Sequence, residues 1–351
     1  MTGFLGLTWD HPRGRDALQA AAFDGLDWHV HSLEGFESAP VERLAERYDL
    51  IVLDHPHLGD AVDAGCLRPL DELFPADELQ AWAEGSVGPS AASYLLDGRP
   101  WALPLDAATQ VSARRPDLLP EAPRSWEEVA HLDVPVAPSL AGPHAFLTLC
   151  SIAVSLGGDL ADDFFAADIA REAMSILADL AGRAPDATRA MNPIALLDFL
   201  STTDELAYVP LVYGYVTYSP RVAFGAPPAG SRIGSTIGGT GIAVTRRSTP
   251  SAELLDHLRW LMSPETQGGF VPEHSGQPSA RSAWTDPRVD DAAGGFYSGT
   301  LDTIENAWVR PRFAGYVPFQ AEASAIVREG LAGSASDAVS RLTAAYGKAR
   351  Q

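Results

Sequence analysis

Residues 50 to 59 read LIVLDHPHLG, an apolar run followed at once by Asp54, His55, Pro56 and His57. Two imidazoles one residue apart beside a carboxylate form a donor set that suits zinc or iron. The same groups donate and accept hydrogen bonds to a hydroxylated solute. A catalytic metal needs about three or four ligands in one shell, so His55 and His57 would require Asp10, His11 or Asp54 as partners. Pro56 stiffens the turn between them, and no later His-plus-Asp set recurs as it would at the strand ends of a barrel enzyme. Hydrogen bonding to a solute is the preferred chemistry. A metal-dependent hydrolase using His55 and His57, or a metal-binding transport protein, stands as the alternative of another class. The sequence contains no G-x-S-x-G elbow and no phosphate loop with its lysine. GGTG at 238–241 suits a close backbone approach.

Composition narrows the classes further. The 351 residues are 46% hydrophobic, enough for two lobes of ordinary size, with no apolar run long enough to cross a membrane as a helix. Acids outnumber bases by 46 to 25, and the net charge of −21 argues against nucleic acid and anionic membranes as partners. Cys66 and Cys150 lack the C-x-x-C spacing of zinc and redox sites and read as free thiols. The start, MTGFLGLTWDH, has an apolar run too short for a signal-peptide core and no basic region before it. The expectation is a cytoplasmic protein, or one whose leader was removed.

The elements that would position these groups follow an α/β rhythm. Strands are expected at 3–9, around Trp28 to Val30 and at 49–53, with helices at 15–23 and in a segment that stops at Gly65, which together suggest a mainly parallel sheet. From about residue 125 the rhythm restarts. Ser125 with Glu128 makes a capping box before a helix, DVPVA at 133–137 looks like a strand, and 142–158 reads as an apolar helix stopped by two glycines. Helices are expected at 168–181 and 193–200, before an aromatic, β-rich stretch at 205–219. The segment 233–244 ends in a strand, and the helix at 251–262 places Leu254, Leu258 and Leu261 on one face. Two last helices are expected, near 319–331 and from a Ser336 cap to Tyr346.

Three segments resemble one family. GRPWALPLDAATQVSARRPDLLPEAPRSWEEV at 98–129 carries Pro104, Leu118, Leu119, Pro123, Ser125, Trp126 and Glu127 in the family's order. GTGIAV followed by a helix and SPETQ is a second similarity, and PRFAGYVPFQAEASAIVREGLAGSASDAVSRLTAAY is a third. They resemble the extracellular solute-binding proteins that feed ABC importers, in the group that contains maltose-binding protein. The resemblance implies an α/β, two-lobe, periplasmic-binding-protein-like fold with a ligand cleft between the lobes. The first lobe would combine 1–107 with 239–300, and the second 108–238 with 301–351. It also implies a monomer outside the cytoplasm that binds a small-molecule solute without catalysis or cofactor and hands it to ABC permease subunits.

Ligands of open α/β sheets lie beyond the carboxyl ends of strands. Under that rule the candidate ligand-binding residues are Trp9, Asp10, His11 and Arg13 after the first strand, then Asp54 and His55, then Asp106 and Gln110 at the lobe crossing. The second lobe would supply His144, Tyr213, Arg312, Tyr316, Phe319 and Gln320. By resemblance, the neighbourhoods of Tyr213 and of Tyr316 to Gln320 match places where the family offers an aromatic plate to a sugar ring. A sugar presents C–H patches to aromatic faces and dense hydroxyls to bidentate polar groups. Carbohydrate or polyol is therefore favoured, while the share of basic donors keeps a carboxylated or anionic metabolite as the alternative. Plainer roles compete at each position. Trp9 could be core, Asp10 and Asp54 helix caps, His144 a packing residue, Tyr213 one member of a strand face, and Arg312 an interlobe salt bridge.

Overall fold

The continuous apolar runs form a sheet at the centre of the computed structural model, which describes residues 3–219 and 221–351. Phe4–Trp9 lies in the middle of a parallel trio, with Leu26–His31 on one side and Leu50–Leu53 on the other. Ile237–Thr245 then comes back from far along the chain and pairs antiparallel with Leu50–Leu53, Gly241 opposite Leu53. Next to it runs the 13-residue strand Ala102–Arg114, which first pairs with Ile237–Thr245 and then, further along, with Tyr208–Tyr213 and Ala223–Gly225. The sheet is thus mixed, not mainly parallel as expected. Helices do separate Ala102–Arg114 from Tyr208–Tyr213, but the later strands enter the sheet running against their neighbours, so their pairs are antiparallel.

Local chemistry explains most boundaries and corrects a few. The first helix runs Pro12–Ala20 instead of 15–23, because the His11 side chain accepts the Arg13 N–H as a cap and Pro12 suits the first turn. DVPVA forms no strand of its own; only Val136 makes a bridge, to Tyr208. Ser125 caps Trp126–Ala130 by accepting from the Glu128 N–H, but the Glu128 carboxylate bonds the Arg124 N–H, one residue before the cap. The last helix, Ala335–Ala349, is capped by Ser334 instead of Ser336.

His144–Ser155 is a helix buried along its whole length, and it packs with Ala167–Arg183, Tyr316–Ala332 and Ala335–Ala349 around one core. An all-round apolar helix requires cover on every side, to which Ala167–Arg183, Tyr316–Ala332 and the strand Tyr208–Tyr213 contribute directly. Under the parallel strands a second core joins Leu7, Ile51 and Leu53 to Leu58 and Ala61. Leu254, Leu258 and Leu261 are buried as their spacing required, and Cys66 and Cys150 are free. Among the described residues no helix is long and apolar enough to cross a membrane.

Candidate functional site

The first strand ends at Trp9 and the third delivers Asp54, so both present side chains beyond their carboxyl ends. The return strand enters beside them at Gly238, Gly239 and Thr240. Gly239 holds φ at 92°, and a Cβ there would lie 2.3 Å from the Asp106 carbonyl oxygen. A Cβ on Gly238 would meet the Tyr213 ring at 2.6 Å. The glycines thus let neighbouring backbone and an aromatic ring close on the site.

These elements enclose a cavity of about 60 Å³. Trp9, Phe36, Tyr213 and Tyr215 supply aromatic wall; Arg13, Glu37, Asp54, His57, His144, Arg310 and Gln320 supply polar groups. Arg310 donates to Asp54 at 2.5 Å, to the Gln320 side-chain oxygen at 3.2 Å and to the Ile237 carbonyl at 3.3 Å. Arg13 grips Asp106 through two bonds of 2.6 and 2.7 Å, donates to the Gly214 carbonyl, and lies 4.8 Å from the centre of the Tyr215 ring. Bidentate pairs of this kind are the strong, geometrically specific ones. Burial alone would raise the Asp54 carboxyl, but Arg310 and His55 outweigh it and hold the group well below the usual carboxylate range. Both arginines therefore arrive in the cavity already paired. On the rim His144 Nε2 stands 3.1 Å from the Glu37 carboxylate.

Of the residues proposed from sequence, Trp9, Arg13, Asp54, His144, Tyr213 and Gln320 line this cavity, with Asp106 directly behind Arg13. The others stand elsewhere. Asp10 is exposed and pairs with Arg15. His11 caps its helix and stacks on Trp9 at 5.4 Å, and burial pushes its imidazole down to about 4. His55 is fully buried, 3.1 Å from Asp54 and edge-on to Tyr94; burial, reinforced by Arg310, takes it down to about 4. Gln110 accepts a hydrogen bond from Ser151 in the interior. Arg312 turns away past Pro311 and donates to the Ala92 and Ser93 carbonyls. Tyr316 and Phe319 belong to the helical core. Among the described residues no group of three or more His, Cys, Asp or Glu is placed to hold a metal ion.

Arg310, Phe36 and Glu37 were missed. Phe36 and Glu37 sit on the short helix Leu33–Ser38, which carries no strong apolar period to announce it.

A polar and aromatic cavity enclosed between two α/β lobes is the architecture of a solute-binding protein. Residues 45–268 match the family described as bacterial extracellular solute-binding protein, and the chain belongs to that family. The chain is similar in fold to a solute-binding protein from Agrobacterium radiobacter K84 in complex with ribitol, with a TM-score of 0.83 at 19% identity over 99% of this chain and 98% of that one. An ABC transporter solute-binding protein from Thermotoga lettingae bound with alpha-D-tagatose gives 0.83 at 14% identity over 100% of each chain. Maltose-bound MalE3 of T. maritima gives 0.80 at 16% identity over 99% of each. No curated protein matches the sequence.

Proposed function

We propose that this chain is the solute-binding component of an ABC importer, working outside the cytoplasm, and that it holds an uncharged sugar or polyol in the cavity between lobes built from 1–107 with 239–300 and from 108–238 with 301–351. The carrying observation is the state of the two cavity arginines. Each is already bonded to a carboxylate of the protein, Arg310 to Asp54 and Arg13 to Asp106. An anionic solute would have to compete with those carboxylates and lie near Glu37, at a cost in desolvation and repulsion. A hydroxylated solute uses the spare lone pairs and donors of the same pairs, and rests its C–H patches on Trp9, Phe36, Tyr213 and Tyr215. The ribitol, tagatose and maltose named for proteins of similar fold are solutes of this class.

Closure of the lobes is the signal a permease would read. The contacts Asp54–Arg310, Glu37–His144 and Arg13 to the Gly214 carbonyl join the two proposed lobes and support that mechanism. The test is a thermal-shift screen of neutral sugars and alditols beside their carboxylated counterparts. A ligand at a hundred times its dissociation constant should add about 2.7 kcal/mol of stability. Shifts from carboxylated compounds alone would overturn the uncharged assignment.

A further inference from the structure

The cavity has a partition. His57, only 6% exposed, and Val317 line both the cavity and an outer groove that carries Glu42, Asp60 and Asp63. His57 ends the one-turn helix His55–His57, whose Pro56 limits how far it can swing, and Val317 stands in the first turn of Tyr316–Ala332. The two side chains come from opposite proposed lobes, so they meet only when the lobes are together. On the inner side the space is about 60 Å³; on the outer side it is about 350 Å³. A water needs roughly 10–15 Å³ of such space, so the inner cavity has room for about four to six waters, the room of one five- or six-carbon polyol. A second sugar unit needs about as much space again, and the outer groove is where that space and its hydroxyl-accepting carboxylates lie.

We propose that His57 and Val317 are the specificity-determining pair of this site, limiting it to one sugar or alditol unit by closing the passage to the outer groove. This rests on the sugar or polyol function proposed above. Truncating the pair joins the two spaces and admits a solute of two units.

Calorimetric titration of the parent protein, His57→Ala, Val317→Ala and the double variant tests this. Ribitol, mannitol, tagatose and glucose are the one-unit probes and maltose the two-unit probe. The readout is the ratio of the best one-unit affinity to the maltose affinity. The parent should prefer one unit by about 100-fold or more, and the double variant should lower that ratio by about tenfold or more. A parent that takes maltose as tightly as its best one-unit probe overturns the partition, as does a double variant whose ratio stays within about twofold of the parent's. If the parent binds no probe of either size, the sugar function falls and the partition with it. Val317→Ala removes only two carbons from a half-buried side chain, so it carries the test if His57→Ala fails to fold.

Discussion

Arg310 and Asp54 are joined at 2.5 Å across the floor of the cavity, although they stand far apart in the chain. The guanidinium is 2% exposed and reaches the Ile237 carbonyl and Gln320 as well, so one side chain ties three segments together. Replacing Arg310 by Ala leaves the half-buried Asp54 carboxylate without its cation and should cost about 3 kcal/mol of stability. The double change Arg310→Met with Asp54→Leu should recover most of that loss while abolishing solute binding. Urea unfolding and calorimetry check both parts; a single-variant loss below about 1 kcal/mol would show the pair to be ornamental.

Aromatic residues near the site divide into two kinds with opposite expected effects. Trp9→Ala and Tyr213→Ala should weaken solute affinity, since both rings form cavity wall. Phe319→Ala should instead cost about 3–5 kcal/mol of stability, because its ring packs among Phe146, Tyr316 and Tyr346. Comparing dissociation constants with unfolding midpoints checks this. Normal affinity in Trp9→Ala and Tyr213→Ala would move the solute elsewhere.

That division also shows what the sequence could and could not tell. In the helix Tyr316–Ala332, Tyr316, Phe319, Ala323, Ile326 and Val327 repeat at helical spacing and are all core. The repeat was there to be read, and it assigns the aromatic pair to the interior while turning Val317 and Gln320 toward the cavity. Strand ends were readable too, since Trp9 and Asp54 follow directly from apolar runs. Arg310 was not. It and Arg312 flank Pro311 in an extended segment, and no periodicity says which of two arginines finds a carboxylate that lies hundreds of positions away.

Gly59 lies in the helix Leu58–Asp63, where a Cβ would stand 2.4 Å from the Arg312 carbonyl oxygen and from the Phe313 backbone. Backbone cannot step aside as a side chain can. Gly59→Ala should therefore destabilise by about 1–3 kcal/mol. Gly182, in Ala167–Arg183, has open space at the same position, so Gly182→Ala should stabilise by about 0.5–1 kcal/mol. Thermal unfolding of the two variants should move in opposite directions; movement the same way would mean that the Gly59 contact is relaxed in solution.

Acid should weaken the fold well before the carboxylates titrate. His11 and His55 both drop from an ordinary value of 6.5 to about 4, chiefly through burial. An imidazole depressed in this way takes up its proton more readily in the unfolded chain, so its contribution is complete above pH 6.5 and is lost as pH falls toward 4. Each can contribute up to about 3 kcal/mol to that loss. Urea midpoints should decline steadily across this window, and His55→Gln should flatten the decline. A parent midpoint constant across the window contradicts the burial of both rings as neutral groups.

The pairing of Leu53 with Gly241 carries a consequence for how the chain is made. The parallel trio Leu26–His31, Phe4–Trp9 and Leu50–Leu53 can assemble early, but its open edge waits for Ile237–Thr245, which is synthesised only after the whole of Tyr208–Tyr213. Contacts between such distant segments slow folding, because the loop between them must be ordered before it is rewarded. A nascent chain stopped anywhere before residue 237 therefore has an unfinished central sheet. In the role outside the cytoplasm proposed above, such a delay would leave the polypeptide unfolded, and so able to thread a membrane pore, for longer.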